Sequence, residues 1–149
     1  MTQKMTLILT LHMMGLMACE PKDDLACTEI GCNSSVVLTF VGPDGEDVAG
    51  LSGTVGSDML MTDAIEFDCV AQEFGDFYMC EGNTVTFFIE EGGFLEGAES
   101  LFVDVNSDPY MVNTEIELEW VESTPNGEDC PPVCYNSEAE ISMDRANPE

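Results

Sequence analysis

From Val36 onward the apolar positions of this chain recur with a period of two. Val36, Leu38 and Phe40 alternate with Val37, Thr39 and Val41, and the run stops at Pro43-Asp44-Gly45, a turn signal. Leu51, Gly53 and Val55 alternate with Ser52 and Thr54; Ile65, Phe67 and Cys69 with Glu66 and Asp68; Val85, Phe87 and Ile89 with Thr84, Thr86 and Phe88. Leu101, Val103 and Val105 oppose Phe102 and Asp104. Ile116, Leu118 and Trp120 oppose Glu115, Glu117 and Glu119, with one face apolar and the other acidic. Ala139, Ile141 and Met143 oppose Glu138 and Glu140 in a last run. No helical period extends over ten residues. The pattern predicts an all-β fold, an antiparallel β-sandwich of about seven to eight short strands over residues 27–143, with a flexible tail at 144–149.

The first residues follow a different rule. Lys4 precedes Met5 to Met17, an apolar run broken only by threonines and His12. The run is shorter than the roughly 20 residues a spanning helix needs and has the flanks of a secretory signal. Leu16-Met17-Ala18-Cys19 resembles the bacterial lipobox, in which a small residue admits the peptidase and the cysteine thiol takes the diacylglycerol. An ordinary signal peptide with a chance cysteine is the alternative. The lipobox implies a signal peptide over 1–18, a lipidated Cys19, and a polar, proline-containing tether over 19–26. Glu20 is not the aspartate that commonly retains lipoproteins in the inner membrane, which favours the outer membrane and leaves the leaflet side open.

Removing 18 of the 149 residues leaves 131, enough for a single domain. That mature chain holds two basic side chains, Lys22 and Arg145, against 30 acidic ones, a formal charge of −28. Nucleic acid and anionic lipid head groups are thereby disfavoured as partners. The acidity is spread along the chain, which fits a solvated, self-repelling surface better than one cation site. The one histidine, His12, leaves with the signal. Histidine-dependent nucleophilic catalysis, histidine general bases and histidine-ligated zinc are therefore absent from the mature chain.

Six cysteines remain beyond Cys19: Cys27, Cys32, Cys69, Cys80, Cys130 and Cys134. An even count in an exported chain predicts a disulfide framework; zinc is the alternative, suggested by the close spacing of Cys27 with Cys32 and Cys130 with Cys134. Cys69 and Cys80 flank a turn signal at Gly75-Asp76 and can face each other across a hairpin. The other four would join the start of the first strand to the start of the last, with the pairing left open.

The segments Ala26-Cys27-Thr28-Glu29-Ile30-Gly31-Cys32 and Pro125-Asn126-Gly127-Glu128-Asp129-Cys130-Pro131-Pro132-Val133-Cys134 precede the first and last strands. They resemble the cysteine boxes of small surface lipoproteins from myxobacteria and related Gram-negative soil or marine bacteria, a family of unknown function. The resemblance implies an immunoglobulin-like or carboxypeptidase-regulatory-like sandwich and carries over no catalytic residue.

The sharpest chemical candidate is a calcium site. Asp104, Asn106 and Asp108, with Glu115 at the twelfth position, match the spacing of oxygen ligands in an EF-hand loop. Pro109 stands where that loop needs glycine, and the flanks are β-patterned, so an irregular loop site is the form to expect, against a plain strand-turn-strand. Asp44-Gly45-Glu46-Asp47 is a second acidic turn, which a hairpin explains. Carboxylate pairs for glycoside hydrolysis lack a matching aromatic groove, and Trp120 falls on an apolar strand face. Three functions remain: a non-enzymatic surface lipoprotein for adhesion, envelope structure or protein partner binding; a calcium-dependent binding module; and a small carboxylate-based hydrolase. A binding module would expose an aromatic patch, with Phe88 and Phe102 as candidates because both fall out of phase with the buried set.

Overall fold

The computed structural model describes residues 31–71, 74–127 and 132–146. The signal peptide, Cys19, the tether, Cys27 and Cys130 lie outside them. Ten strands follow in order: Ser35–Val41 (β1), Ser52–Gly56 (β2), Ala64–Asp68 (β3), Tyr78–Glu81 (β4), Thr84–Phe88 (β5), Ser100–Ser107 (β6), Tyr110–Glu117 (β7), Val121–Ser123 (β8), Cys134–Ser142 (β9) and Asp144–Arg145 (β10). Eight have four residues or more, in line with the expected number; β8 and β10 are short additions. They form two five-stranded sheets, ordered β4-β5-β1-β9-β8 and β10-β7-β6-β2-β3. The protein is an all-β sandwich.

The period of two builds the core directly, because alternate side chains of a strand point to opposite faces. Val36, Leu38 and Phe40 of β1, Val85 and Phe87 of β5, and Leu101, Val103 and Val105 of β6 are completely buried. Phe67 of β3 packs edge-on against Phe87, with ring centroids 5.5 Å apart, and against Tyr78 at 6.0 Å. Such T-shaped pairs place the positive edge of one ring on the negative face of the other. Gly53 of β2 also points inward, where a Cβ would collide with the Asp104 carbonyl and the Val105 backbone, so only glycine lets β2 lie against β6.

Four local expectations are refined. Nearly every pair is antiparallel, but β1 and β9 run parallel, from Ser35 opposite Asn136 to Val41 opposite Ser142. A parallel pair needs a long connection, and here almost the whole domain supplies it. Cys69 and Cys80 are joined, with Cα atoms 5.7 Å apart, yet not across a hairpin. β3 pairs with β2 and β4 with β5, so this disulfide clips the two sheets together at their common edge. The acidic-apolar run ending at Trp120 keeps its alternation, with Leu118 buried and Glu115, Glu117 and Glu119 exposed, but β7 ends at Glu117. There the chain leaves the second sheet for the first, and β8 begins at Val121. Finally, Asp144 and Arg145, expected in a flexible tail, pair with Met111 and Tyr110.

Candidate functional site

Strand direction decides which loops share an end of the sandwich. β1 and β9 start side by side, and Cys32, just before β1, is bonded to Cys134, the first residue of β9, with Cα atoms 6.1 Å apart. β5 runs against β1, so Phe88 ends opposite Ser35. The crossover 89–99 then carries the chain to the second sheet. The Ser57–Asp63 tip of the β2–β3 hairpin and the 118–120 segment arrive at this same end. We call it the Cys32 end. The opposite, far end holds the turn after β1, the Gly82-Asn83 turn and the Asp108-Pro109 turn.

The exposed apolar side chains are unevenly shared. Met59 and Leu60, 73% and 85% exposed, sit on the β2–β3 tip, and Phe77, Val121, Val133 and Tyr135 ring the same end, while Val70 and Met111 are exposed toward the far end and Phe74 beside β4. Apolar surface in water is unfavourable, and its concentration in one region marks an interaction surface more than scattered single residues do.

Two open clefts adjoin there, and Glu90 of the crossover lines both. The larger, about 750 Å³, is walled by Met61, Ile65, Phe77, Phe88, Phe94 and Leu95, with Glu66 and Asp104 among its polar groups. Its shape depends on Gly56. A Cβ there would come within 2.6 Å of the Met61 sulfur, and Met61 itself adopts φ of 51°, in the left-handed region. A side chain on Gly56 would push the Met61 thioether aside and crowd the Asp63 carbonyl at 3.1 Å.

The second cleft, about 700 Å³, is lined by Ile89, Trp120, Val133 and Tyr135 beside the Cys32–Cys134 disulfide, and by Glu90, Glu91 and Glu96. Trp120 is half-buried, and its indole Nε1 donates to the Ala98 carbonyl at 2.7 Å, which fixes the ring against the crossover. Glu96 accepts from the Gly92 amide at 2.7 Å, and the Tyr135 amide donates to the Ser34 hydroxyl at 3.0 Å. These contacts hold the cleft's walls before anything binds.

The residues singled out from the sequence fall differently. Phe88 lines the larger cleft; Phe102 lies half-buried on the outer face of β6, opposite Gly56 and Glu115. Asp104 and Asn106 stand on that same outer face within β6, opposite Asn113 and Met111 of β7, and Asp108 is exposed in the turn beyond. Two of the three calcium candidates are thus carried on an extended strand. Among the described residues, no three acidic, cysteine or histidine side chains gather in a group that could hold a metal ion.

The acidic turn after β1 serves the far end. Glu46 accepts from the Tyr110 hydroxyl at 2.6 Å and from the Asp44 amide at 2.8 Å, and Arg145 stands 3.9 Å away. The Tyr110 hydrogen bond, above all, holds the Glu46 carboxyl below the usual carboxylate range, and the same bond raises the Tyr110 phenol. No sequence signal foretold this long-range pairing. Trp120 and Tyr135 were equally illegible as neighbours, since their meeting depends on the chain changing sheets.

No family model matches the chain, and no curated protein matches it. Among solved structures, the chain is similar to the dioxygenase domain of a dioxygenase carbohydrate-binding protein fusion from the cellulolytic bacterium Streptomyces sp. SirexAA-E. The likeness covers 82% of this chain and 86% of that one, at 12% identity and a TM-score of 0.45.

Proposed function

We propose that the protein is a lipid-anchored outer-membrane module that binds another envelope or surface protein without catalysing a reaction. One observation carries the reading: the gathering of exposed apolar side chains and two adjoining clefts at the Cys32 end. The sequence supports the address, through Leu16-Met17-Ala18-Cys19 and the glutamate that follows. A lipid anchor carrying two or three acyl chains would hold the module stably, where one chain binds marginally. The high negative charge keeps nucleic acid away, so the partner is protein.

The test has two arms in a Gram-negative host. Full-length protein should fractionate with the outer membrane and yield a diacylated N-terminal Cys19 by mass spectrometry, whereas Cys19→Ser should remain unlipidated. A photo-crosslinking amino acid placed at Leu60 or Tyr135 should trap a discrete protein partner, and one at Asp44 or Asn113 should not. Crosslinks spread evenly over both ends would sink the proposal.

A further inference from the structure

The two clefts differ in their aromatic walls. The larger sets phenylalanines, Phe77, Phe88 and Phe94, beside the carboxylates of Glu66, Glu90 and Asp104. The second sets Trp120 and Tyr135 among three carboxylates, those of Glu90, Glu91 and Glu96. We infer that this second cleft receives a basic peptide segment of the partner, with an arginine or lysine side chain lodged between the aromatic rings and the carboxylates. The inference rests on the partner-binding reading and names the chemistry of the partner.

Charge complementarity selects the occupant. The mature chain carries only Lys22 and Arg145 as cations, and Arg145 stands at the far end beside Glu46. Among the described residues that is the one ion pair, and none of them sets a cation against Glu90, Glu91 or Glu96. An acidic segment would meet three like charges there, and an apolar one would cover carboxylates without pairing them, which is unfavourable. A guanidinium or ammonium group satisfies both kinds of wall. It pairs with carboxylate oxygens and is attracted to the faces of tryptophan and tyrosine rings. The Trp120–Ala98 hydrogen bond and the Cys32–Cys134 disulfide fix the walls in advance, so less ordering is needed on binding.

Trp120 is the single tryptophan of the chain, so its fluorescence reports this cleft alone. The experiment uses the oxidised full-length protein in nonionic detergent at ~0.15 M salt, where the Debye length of about 8 Å screens distant carboxylates. A capped glycine–arginine–arginine–glycine peptide is titrated against its citrulline counterpart, which keeps the shape and loses the charge. The arginine peptide should shift Trp120 emission saturably, and the citrulline peptide should not. The combined variant Glu90→Gln, Glu91→Gln, Glu96→Gln should weaken binding roughly tenfold or more, and Tyr135→Ala several-fold. Glu81→Gln, Glu138→Gln, Glu140→Gln removes the same charge from exposed positions outside both clefts and should change affinity less than about twofold. Equal losses in the two triple variants, or equal binding of the citrulline peptide, would overturn the inference. Either result would leave the crosslinking test of the module itself untouched.

Discussion

The two ends of the sandwich are closed in opposite ways. At the far end, beside the Cys69–Cys80 disulfide, short turns are pinned by polar contacts that reach across the sequence: Tyr110 to Glu46, Arg145 beside both, and the buried Ser107 hydroxyl donating to the Ala49 carbonyl at 2.6 Å. At the Cys32 end the 89–99 crossover and the 118–120 sheet change leave apolar walls facing solvent, and a disulfide is the main clamp. The same strands feed both ends. The contrast therefore comes from the connections, and it separates an end held by polar contacts from one that leaves apolar walls in water.

The largest loss of stability is expected at the disulfide clamp. Cys32–Cys134 closes a sequence separation of 102, for which the chain-entropy account gives about 4–5 kcal/mol. Replacing Cys27, Cys32, Cys130 and Cys134 together by serine should cost about that much, read as a drop in the urea midpoint with a steeper slope, because the freed denatured chain exposes more surface. Replacing only Cys32 and Cys134 should cost less where Cys27 and Cys130 also join the two ends, so the gap between the two variants reads that pairing. Cys69→Ser with Cys80→Ser opens a separation of 11 and should cost about 3 kcal/mol. If the short loop proves the costlier to open, the clamp is not the main support of the Cys32 end.

At the far end the effects are smaller. Ser107→Ala removes one hydrogen bond from a buried hydroxyl and should cost about 1 kcal/mol in the same denaturation. Tyr110→Phe should change the pH profile more than the midpoint. Glu46 has a lowered folded pKa, so its contribution is present above the ordinary carboxylate range and is lost as pH falls through the lowered value. Tyr110 has a raised one, so its contribution is present below the ordinary tyrosine range and is lost as pH rises through the raised value. Removing the hydroxyl should flatten both limbs and return the Glu46 titration, followed by NMR, toward an ordinary carboxylate. An unmoved Glu46 titration would show that Tyr110 is not its partner.

The smallest contrast concerns calcium. With Asp104 and Asn106 on the open face of a strand, calcium and sodium chloride at matched ionic strength should raise the melting temperature alike, by screening repulsion among the carboxylates. A larger calcium effect abolished by Asp104→Asn would restore a specific site.

Period-two patterning made the sheets legible because each strand has one face in the core: Val36, Leu38 and Phe40 could be placed inside from sequence alone. What periodicity lacks is partner choice. Nothing local distinguishes a β3–β4 hairpin from strands in different sheets, so Cys69 and Cys80 were paired correctly for the wrong topological reason. Trp120 was legible as a core residue on an apolar strand face, whereas it is half-buried and its neighbour Tyr135 lies beyond a change of sheet. The tail residues Asp144 and Arg145 carry no strand pattern; they are held by backbone pairing to β7 and by the cation–aromatic approach of Arg145 to Tyr110.

The parallel β1–β9 pair also has a mechanical meaning. A tether pulling on Cys32 loads β1 along its own axis, so the hydrogen bonds to β5 and β9 resist in shear, all together, rather than opening one after another. The bond from Cys32 to Cys134 sends part of that tension straight into β9, so the first and last strands cannot slide past each other at their starts. With the clefts at that same end, drag on a bound partner would pass through the loops that wall them into Cys32 and Cys134, and the disulfide would carry it ahead of the strands.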